Sequence, residues 1–227
     1  MFDRIASRYD MVNRILSFRR DVAWRKRLGR YLPKKERIDL LDLATGTGDV
    51  IVSLLGRNRR IADATGIDMS PRMLRVAAAK LAVRGLSDRA VLLQADAESL
   101  PFAEGSFDAV TIAFGIRNMQ DVSRALREMH RVLAPGGKVL ILEFSMPRNA
   151  LVRRLYPLHL RGLLPRIGGL LSGDGAAYRY LNETVASFPC GEQFLALMRQ
   201  SGFVSLAAEP LTFGVVTIYH GVKDPQV

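Results

Sequence analysis

The strongest constraint on the fold of this chain is the stretch LLDLATGTGD, which covers residues 40–49. It begins as a short apolar run that ends in an acid before two glycines, a pattern that predicts a buried strand. The residues that follow, VIVSLL, predict a helix packed back on that strand. Because Gly46 and Gly48 lack a Cβ, the backbone can turn sharply there and a ligand can lie against it, near helix-terminal N–H groups. The unit therefore predicts a nucleotide-like ligand.

The residues of this loop distinguish between kinds of nucleotide. A dinucleotide fingerprint requires a glycine where this chain has Ile51, and a P-loop requires Gly-Lys-Ser/Thr after the position of Thr47. Neither motif fits. Asp42 and Asp49 flank the loop, and their charges would repel a pyrophosphate but attract a cationic ligand. The sulfonium and amino groups of S-adenosylmethionine carry such a charge, so the loop favours that ligand.

Two further predicted strands end in acids. The segment ATGID ends at Asp68, twenty residues after Gly48, where a carboxylate can accept both hydroxyls of a ribose. The segment VLLQADA brings Asp96, which could bind the adenine amino group. As an alternative, each acid caps the helix after it, which suits Asp68 because Ser70 and Pro71 follow.

Strands and helices alternate from residue 39 to residue 143, which predicts an α/β fold with parallel strands and helices on both faces. His130 lies on a predicted helix away from the strand ends, so we expect a structural role for it. The later elements predicted are strands at residues 107–113 and 138–143, a helix at 121–133, a helix at 194–200, and two strands at 204–206 and 215–220.

With these motifs the chain resembles the class I S-adenosylmethionine-dependent methyltransferases. Three stretches are similar to signatures of the quinone-biosynthesis C-methyltransferases: FDRIASRYDMVN from Phe2, FGIRN from Phe114, and YRYL from Tyr178 with Phe188 and Pro189 after it. The resemblance runs almost end to end. It implies a single-domain, Rossmann-like sheet of seven strands whose final pair is antiparallel. The donor contacts that we predict are Asp42, Ala44, Gly46, Thr47, Gly48, Asp68, Met69, Asp96, Ala97 and Ala113.

The resemblance also divides the single domain into parts. These are a helical leader at residues 1–31, a donor-binding core at 39–143, a lid on the acceptor side at 144–189, and a last helix with the final strand pair at 190–227. In the family the leader closes over the donor and contributes to the acceptor pocket, which makes Tyr9 and Asn13 candidate lining residues. Packing and capping of the leader on the sheet are the alternative. After Ser17 the chain reads FRRD, where the family often has a glycine-containing stretch with a histidine, so no role for that histidine is carried over.

The loop FGIRN follows the fourth predicted strand, where open α/β sheets place ligands. We predict Arg117, Asn118 and Tyr9 as catalytic residues. A guanidinium stays protonated, so Arg117 is expected to stabilise a phenolate or to orient a water, and Asn118 to orient the same hydroxyl. An ion pair between Arg117 and Asp121 is the structural alternative. The proton acceptor is left open between water, His159 and Tyr9.

The segment 144–189 is too long for a loop without function. We predict a helical lid with an apolar cleft for a polyprenyl tail, and substrate contacts from Tyr178, Tyr180 and His159. A purely structural lid is the alternative.

The formal charge of +11 is densest at residues 14–30, 57–60 and 148–166, and such a surface can meet nucleic acid or anionic lipid. A solvated basic surface is an equal alternative for residues 57–60. Leucines interleave with the arginines of residues 148–166, which favours an amphipathic segment facing lipid headgroups. No signal or spanning segment is evident, so we expect a cytoplasmic protein that contacts the anionic inner face of the membrane transiently, and a homodimer is left open. One cysteine, Cys190, and three scattered histidines predict no disulfide and no metal.

The predicted function is C-methylation of a polyprenylated quinol in respiratory quinone biosynthesis with S-adenosylmethionine as donor. Demethylmenaquinol is the favoured acceptor, and a methoxy-polyprenyl-benzoquinol is the alternative, because the motifs serve both. A methyltransferase for RNA or another small molecule would share the donor site. Enzymes acting on nucleic acid, however, usually carry Asn/Asp-Pro-Pro and an aromatic residue where this chain reads AFGI at residues 113–116, so no nucleic acid is expected. The intact donor acids argue against a non-catalytic binding module.

Overall fold

A computed structural model describes residues 10–11, 13–15, 17–147, 184–185 and 187–226. The strands within these residues are β1 (Ile38–Leu43), β2 (Ile61–Asp68), β3 (Ala90–Gln94), β4 (Phe107–Ala113), β5 (Leu133–Phe144), β6 (Phe203–Leu211) and β7 (Val216–Lys223). These seven described strands form one sheet in the order β3-β2-β1-β4-β5-β7-β6. The α-helices whose bounds fall in the described part of the chain are α1 (Arg20–Leu28), α2 (Asp49–Leu55), α3 (Pro71–Val83), α4 (Val122–Val132) and α5 (Glu192–Gln200). In this part of the chain no helix is long and apolar enough to cross a membrane.

Strand direction gives the sheet its functional edge. The first five strands pair in parallel, and β7 runs antiparallel to both β5 and β6. The α/β fold and the antiparallel final pair are therefore confirmed. Strand β1 lies between β2 and β4. After β1 the chain adds β2 and β3 on one side of it, and then adds β4 and β5 on the other side. Ligands of open α/β sheets bind at such a reversal, outside the carboxyl ends of the strands, which we call the carboxyl edge.

The central strands β1 and β4 are buried on both faces, because successive residues of a strand point to opposite sides and apolar clusters cover each side. Leu41 and Leu43 of β1 join an apolar cluster that includes Met129 of α4 and Phe194 of α5. Leu40 of β1 belongs to a second cluster, on the face covered by α1 and α2. The strands that end at the carboxyl edge are thus packed on both sides by the core.

Several strand boundaries differ from those predicted. Strand β7, for example, ends at Lys223 rather than at residue 220. Strand β5 begins at Leu133 rather than at Lys138, since Leu133 already pairs with Phe107 of β4 and the Pro-Gly-Gly segment forms an irregularity, with φ of 74° at Gly136, before the pairing resumes at Lys138. Strand β6 continues to Leu211 instead of ending at residue 206. Strand β3 ends at Gln94, which leaves Asp96 in the segment beyond the strand.

Candidate functional site

The glycine loop, residues 44–48, turns at the end of β1 with positive φ angles. Gly46 and Gly48 have φ of 55° and 77°, and Ala44 has φ of 46°, which is uncommon for a residue with a Cβ. Among the described residues, a Cβ added to Gly46 would find only the carbonyl oxygen of Ala44 within 4 Å, at 3.9 Å. The loop therefore leaves open space over Gly46, as a ligand lying against its backbone requires.

Asp42 lies beneath this loop with no exposed surface. Its Oδ2 accepts a hydrogen bond from the Thr45 hydroxyl and its Oδ1 accepts one from the Thr111 hydroxyl, both at 2.6 Å. Burial raises the pKa of Asp42 to about 7, although both hydroxyls and the charge of Arg25 oppose the shift. A cation placed near this carboxyl group would favour its ionised form.

Asp68 ties the end of β2 to the glycine loop. Its Oδ2 accepts from the backbone N–H of Gly46 and its Oδ1 from that of Ser70, both at 2.8 Å. The Ser70 hydroxyl accepts from the Met73 N–H at 3.2 Å, so Ser70 is the cap of α3. Met69 is 63% exposed beside Asp68. Capping of α3 alone therefore does not account for the contacts of Asp68, because this residue also accepts a hydrogen bond from the glycine loop.

The remaining predicted donor contacts lie at the same edge. The Asp96 side chain is exposed, and its Oδ1 accepts from the Glu98 N–H at 2.9 Å. Ala97 is buried, and half-buried Ala113 ends β4 beside β1. An open glycine loop with acids at the ends of β1 and β2 and just beyond β3 fits the ribose, adenine and charged parts of S-adenosylmethionine.

Asp49 was predicted to attract a cationic ligand, but cationic side chains of the protein itself already pair with it. Lys80 Nζ lies 2.6 Å from Asp49 Oδ1, and Arg14 Nη2 lies 3.1 Å from Asp49 Oδ2. The side chain is 13% exposed. The positive charge expected from the ligand at this acid comes instead from α3 and the leader.

The loop after β4 approaches the glycine loop closely. A Cβ on Gly115 would lie 2.6 Å from the Cβ of Ala44, so a larger residue would push the two loops apart. Phe114 precedes it with φ of 60°, a strained angle for a bulky residue. Such strain accumulates at functional sites. Arg117 and Asn118, in the short 3₁₀ turn Ile116–Asn118, are thereby held next to the donor side of the edge.

Arg117 forms a buried ion pair with Glu143, near the end of β5. Its Nη1 donates to Glu143 Oε1 and to the carbonyl oxygen of Phe114, both at 2.7 Å. The two side chains are 6% and 0% exposed. Asp121, the partner considered from the sequence, instead accepts from the Arg124 N–H at 2.9 Å as the cap of α4. The guanidinium is therefore anchored by a residue that was not predicted.

Two polar atoms of this loop are buried without a hydrogen-bond partner in the described part of the chain: Arg117 Nε and Asn118 Oδ1. Buried polar groups are nearly always hydrogen-bonded, so each such atom calls for an explanation. One is a donor and the other an acceptor, on adjacent residues. Toward a ligand, Arg117 Nε could act only as a donor and Asn118 Oδ1 only as an acceptor.

Part of the predicted acceptor side belongs to other stretches of the chain. Tyr9, His159, Tyr178 and Tyr180 lie outside the described residues, as do residues 148–166 and most of the lid.

Two other residues considered from the sequence are described. The backbone carbonyl of half-buried Asn13 accepts from the Ser17 N–H at 2.9 Å. His130 packs edge-on against Phe203 at 5.1 Å, in keeping with a structural role.

Reasoning from the sequence missed Glu143, Lys80 and Asp10. Glu143 had a recognisable signal, because it nearly ends an apolar strand just as Asp42 does. Lys80 had none, and Asp10 had only its place in the signature that starts at Phe2. Their side chains meet across 70 positions of the chain.

A family model described as the ubiE/COQ5 methyltransferase family matches residues 1–223. The ubiquinone/menaquinone biosynthesis C-methyltransferase UbiE of Syntrophotalea carbinolica is 50% identical over 224 residues, covering 99% of this chain and 93% of that protein. The demethylmenaquinone methyltransferase of Thermus thermophilus is 48% identical over 221 residues, covering 97% of this chain and 99% of that protein. A solved SAM-dependent methyltransferase of Thermotoga maritima has a TM-score of 0.68 at 22% identity and covers 98% of each chain, a likeness that shows the fold.

Proposed function

We propose, from the premise that this chain belongs to the ubiE/COQ5 methyltransferase family, that it methylates a ring carbon of a polyprenylated quinol. Demethylmenaquinol is the favoured acceptor, and a methoxy-polyprenyl-benzoquinol is the second candidate. Relatives at 50% and 48% identity carry names that cover both, and one of them names demethylmenaquinone alone. The observation that carries the acceptor proposal is the pair of unpartnered atoms on Arg117 and Asn118.

On the donor side, S-adenosylmethionine supplies an electrophilic methyl group when bound. We assign the ribose hydroxyls to Asp68 and the adenine amino group to Asp96. The space over Gly46 admits the donor against the backbone, and Thr47 and Gly48 shape the loop around it. Asp42, ionised opposite the cationic end, adds attraction. Contacts by Ala44, Met69, Ala97 and Ala113 complete this part of the proposal.

On the acceptor side, the chain must hold a ring carbon in line with the methyl group and make it nucleophilic. Loss of a phenol proton does the latter. Arg117 Nε, a donor, is assigned to the developing phenolate oxygen, which a fixed guanidinium stabilises. Asn118 Oδ1, an acceptor, is assigned to the hydroxyl before its proton leaves. An oxidised quinone has no hydroxyl to donate to Asn118, so the reduced form is the substrate.

The resemblance, rather than the described residues, supports the rest of the acceptor site. We assign proton removal to Tyr9, His159 or a water, and contacts with the ring to Tyr178 and Tyr180. The lid at residues 144–189 would cover the polyprenyl tail, and the leader at residues 1–31 would close over both substrates. The leader, the donor-binding core, the lid and the final segment at residues 190–227 then act as one domain.

The acceptor's tail places the reaction at a membrane, and we propose transient contact with an anionic lipid surface from the cytoplasmic side. The charge of +11 supports this contact. So do two aromatic side chains that stand out of the described surface, Phe18 and Phe213, which are 78% and 77% exposed. A homodimer is also proposed, and light scattering in solution tests it.

Methyl transfer from labelled S-adenosylmethionine to short-tailed acceptors tests this function. Reduced demethylmenaquinol and reduced methoxy-polyprenyl-benzoquinol are offered separately and then in competition, with total RNA as a third acceptor. We expect one methyl group on the naphthoquinol ring at the highest kcat/KM and no labelled RNA. Faster reaction of the benzoquinol would change the acceptor to the second candidate. Labelled RNA with two unreacted quinols would refute the proposal.

A further inference from the structure

The leader is joined to the glycine loop by a group of four side chains that we call the Lys80 cluster: Asp10, Thr47, Asp49 and Lys80. Lys80 Nζ, on α3, lies 2.6 Å from Asp10 Oδ2 and 2.6 Å from Asp49 Oδ1. It also donates to Thr47 Oγ1 at 3.1 Å. The Thr47 hydroxyl donates to Asp10 Oδ1 at 2.6 Å, so Asp10, Thr47 and Lys80 form a closed triangle of hydrogen bonds.

A second connection runs beside the first. Arg14 of the leader donates to Asp49 at 3.1 Å and to Asp21 at 2.8 Å. Asp21 also accepts from Arg25 at 2.6 Å within α1. The leader therefore reaches Asp49 through Arg14, while Asp10 reaches it through Lys80.

The charged side chains of the Lys80 cluster are largely shielded from solvent. The side chains of Lys80, Asp10 and Asp49 are 20%, 28% and 13% exposed. Exposed ion pairs contribute little, whereas charge-assisted hydrogen bonds with restricted solvent access are stronger. A lysine ammonium has three donors, and here they correspond in number to the three oxygen partners.

We propose that Lys80 is a positioning residue that couples docking of the leader to binding of the methyl donor. The inference rests on the donor half of the proposed function. Thr47 belongs to the loop that we assign to the methyl donor, and its hydroxyl donates a hydrogen bond to Asp10 of the leader. The part of the leader that would move is the segment before α1, because Trp24 and Leu28 of α1 belong to the core. When this segment leaves, Thr47 loses its acceptor and Lys80 loses one of its two carboxylates. A donor that binds the formed loop therefore favours the docked leader, and a docked leader strengthens donor binding to the same degree.

Donor affinity measured by calorimetry on the full chain, without any acceptor, tests the coupling. Lys80→Met is compared with Lys80→Arg and with Arg75→Met, a matched loss of positive charge at an exposed position of the same helix. We expect about tenfold weaker binding of S-adenosylmethionine by Lys80→Met, the size associated with a hydrogen bond to a charged group. Lys80→Arg should retain most of the affinity, and Arg75→Met all of it. Undiminished affinity in Lys80→Met would overturn the proposal.

Limited trypsin digestion distinguishes local release of the leader from a general loss of stability, because a general loss would also expose the sheet to cleavage. Arg14, Arg19 and Arg20 offer cleavage sites in the leader. Donor should protect these sites in the wild type and in Arg75→Met, but not in Lys80→Met, while the sheet stays resistant in all three. Equal protection of Lys80→Met and wild type would contradict the coupling.

A double-mutant cycle with Asp10→Asn provides a second route, from the leader side of the contact. If Lys80 acts through Asp10, the double variant should bind donor no more weakly than the worse single variant. Additive losses would show that the two residues act separately and would overturn the proposal. Because no acceptor is present, unreactive quinols would refute the acceptor and leave the coupling standing. A wild type that does not bind the donor would refute both.

Discussion

Glu143 accepts a hydrogen bond from Nη1 of Arg117 across 2.7 Å, and its carboxylate has no exposed surface. The same Nη1 donates to the Phe114 carbonyl, so two contacts fix the guanidinium. Glu143 Oε1 also accepts from the backbone N–H of Phe144 at 2.7 Å. The acid on β5 therefore orients the cation that we assign to the acceptor, while Arg117 Nε is left unpartnered in the described part of the chain.

Removing one member of this pair should destabilise the protein. Arg117→Met leaves the Glu143 carboxylate buried and unpaired, which lowers the free energy of unfolding by about 3–5 kcal/mol. Adding Glu143→Gln removes the stranded charge and keeps an acceptor for the Phe144 N–H. The double variant should therefore regain much of the stability yet stay inactive. Urea unfolding and kcat are measured on both, with Asp121→Asn as a control that leaves kcat unchanged. An active double variant would contradict the role of Arg117.

Gly46→Ala separates backbone strain from obstruction of the donor. Gly46 and Gly85 have φ of 55° and 64°, and a Cβ on Gly85 meets nothing within 4 Å. Alanine at either position should lower the free energy of unfolding by about 1–2 kcal/mol, through the left-handed angle. Calorimetry should show weaker binding of S-adenosylmethionine by Gly46→Ala alone. Equal affinities of the two variants would mean that the donor does not lie over Gly46.

Stability should depend on pH through Asp42. The folded protein holds this proton up to a pKa of about 7, whereas the ordinary value of 3.8 applies when the chain is unfolded. Between these values the folded state binds more protons than the unfolded state, so the free energy of unfolding falls as pH rises from about 4 to about 7. In Asp42→Asn the side chain does not titrate, so this contribution to the pH dependence of stability is absent.

Urea unfolding of wild type and Asp42→Asn without donor, at about pH 5 and about pH 8, measures this effect as a difference between the two proteins. Other titrating groups are common to both and cancel. The variant should gain stability relative to wild type at the higher pH. A difference that stays constant with pH would mean that Asp42 ionises normally in its buried position.

The sheet was predictable because its signals are local. An apolar run before a glycine loop, followed by alternating strand and helix patterns, specifies parallel strands whose ends meet at one edge. Boundaries were less predictable where tertiary pairing extends an element. Strand β5 begins earlier than predicted because Leu133 finds a partner in Phe107 of β4, and Pro135 and Gly136 lie in the register shift between that pair and Lys138.

The site was predictable only in part, since its connections are not local. The rule that located Asp42 and Asp68, an acid at a strand end, also applies to Glu143 and could have found it. The partner of Arg117 nevertheless depends on β5 lying next to β4, which is a property of the sheet order. Lys80 is an unremarked lysine on a helix, and only the folded chain brings it to Asp10 and Thr47.

The most direct test of the central claim compares demethylmenaquinol with strictly oxidised demethylmenaquinone at saturating labelled S-adenosylmethionine. The wild type should methylate the reduced acceptor alone, because only a hydroxyl can donate to Asn118 Oδ1 and leave a phenolate at Arg117. Asn118→Leu should bind the donor normally and react about 100-fold more slowly. Methylation of the oxidised acceptor at the same rate, or a fully active Asn118→Leu, would contradict the assignment of these two residues to the quinol.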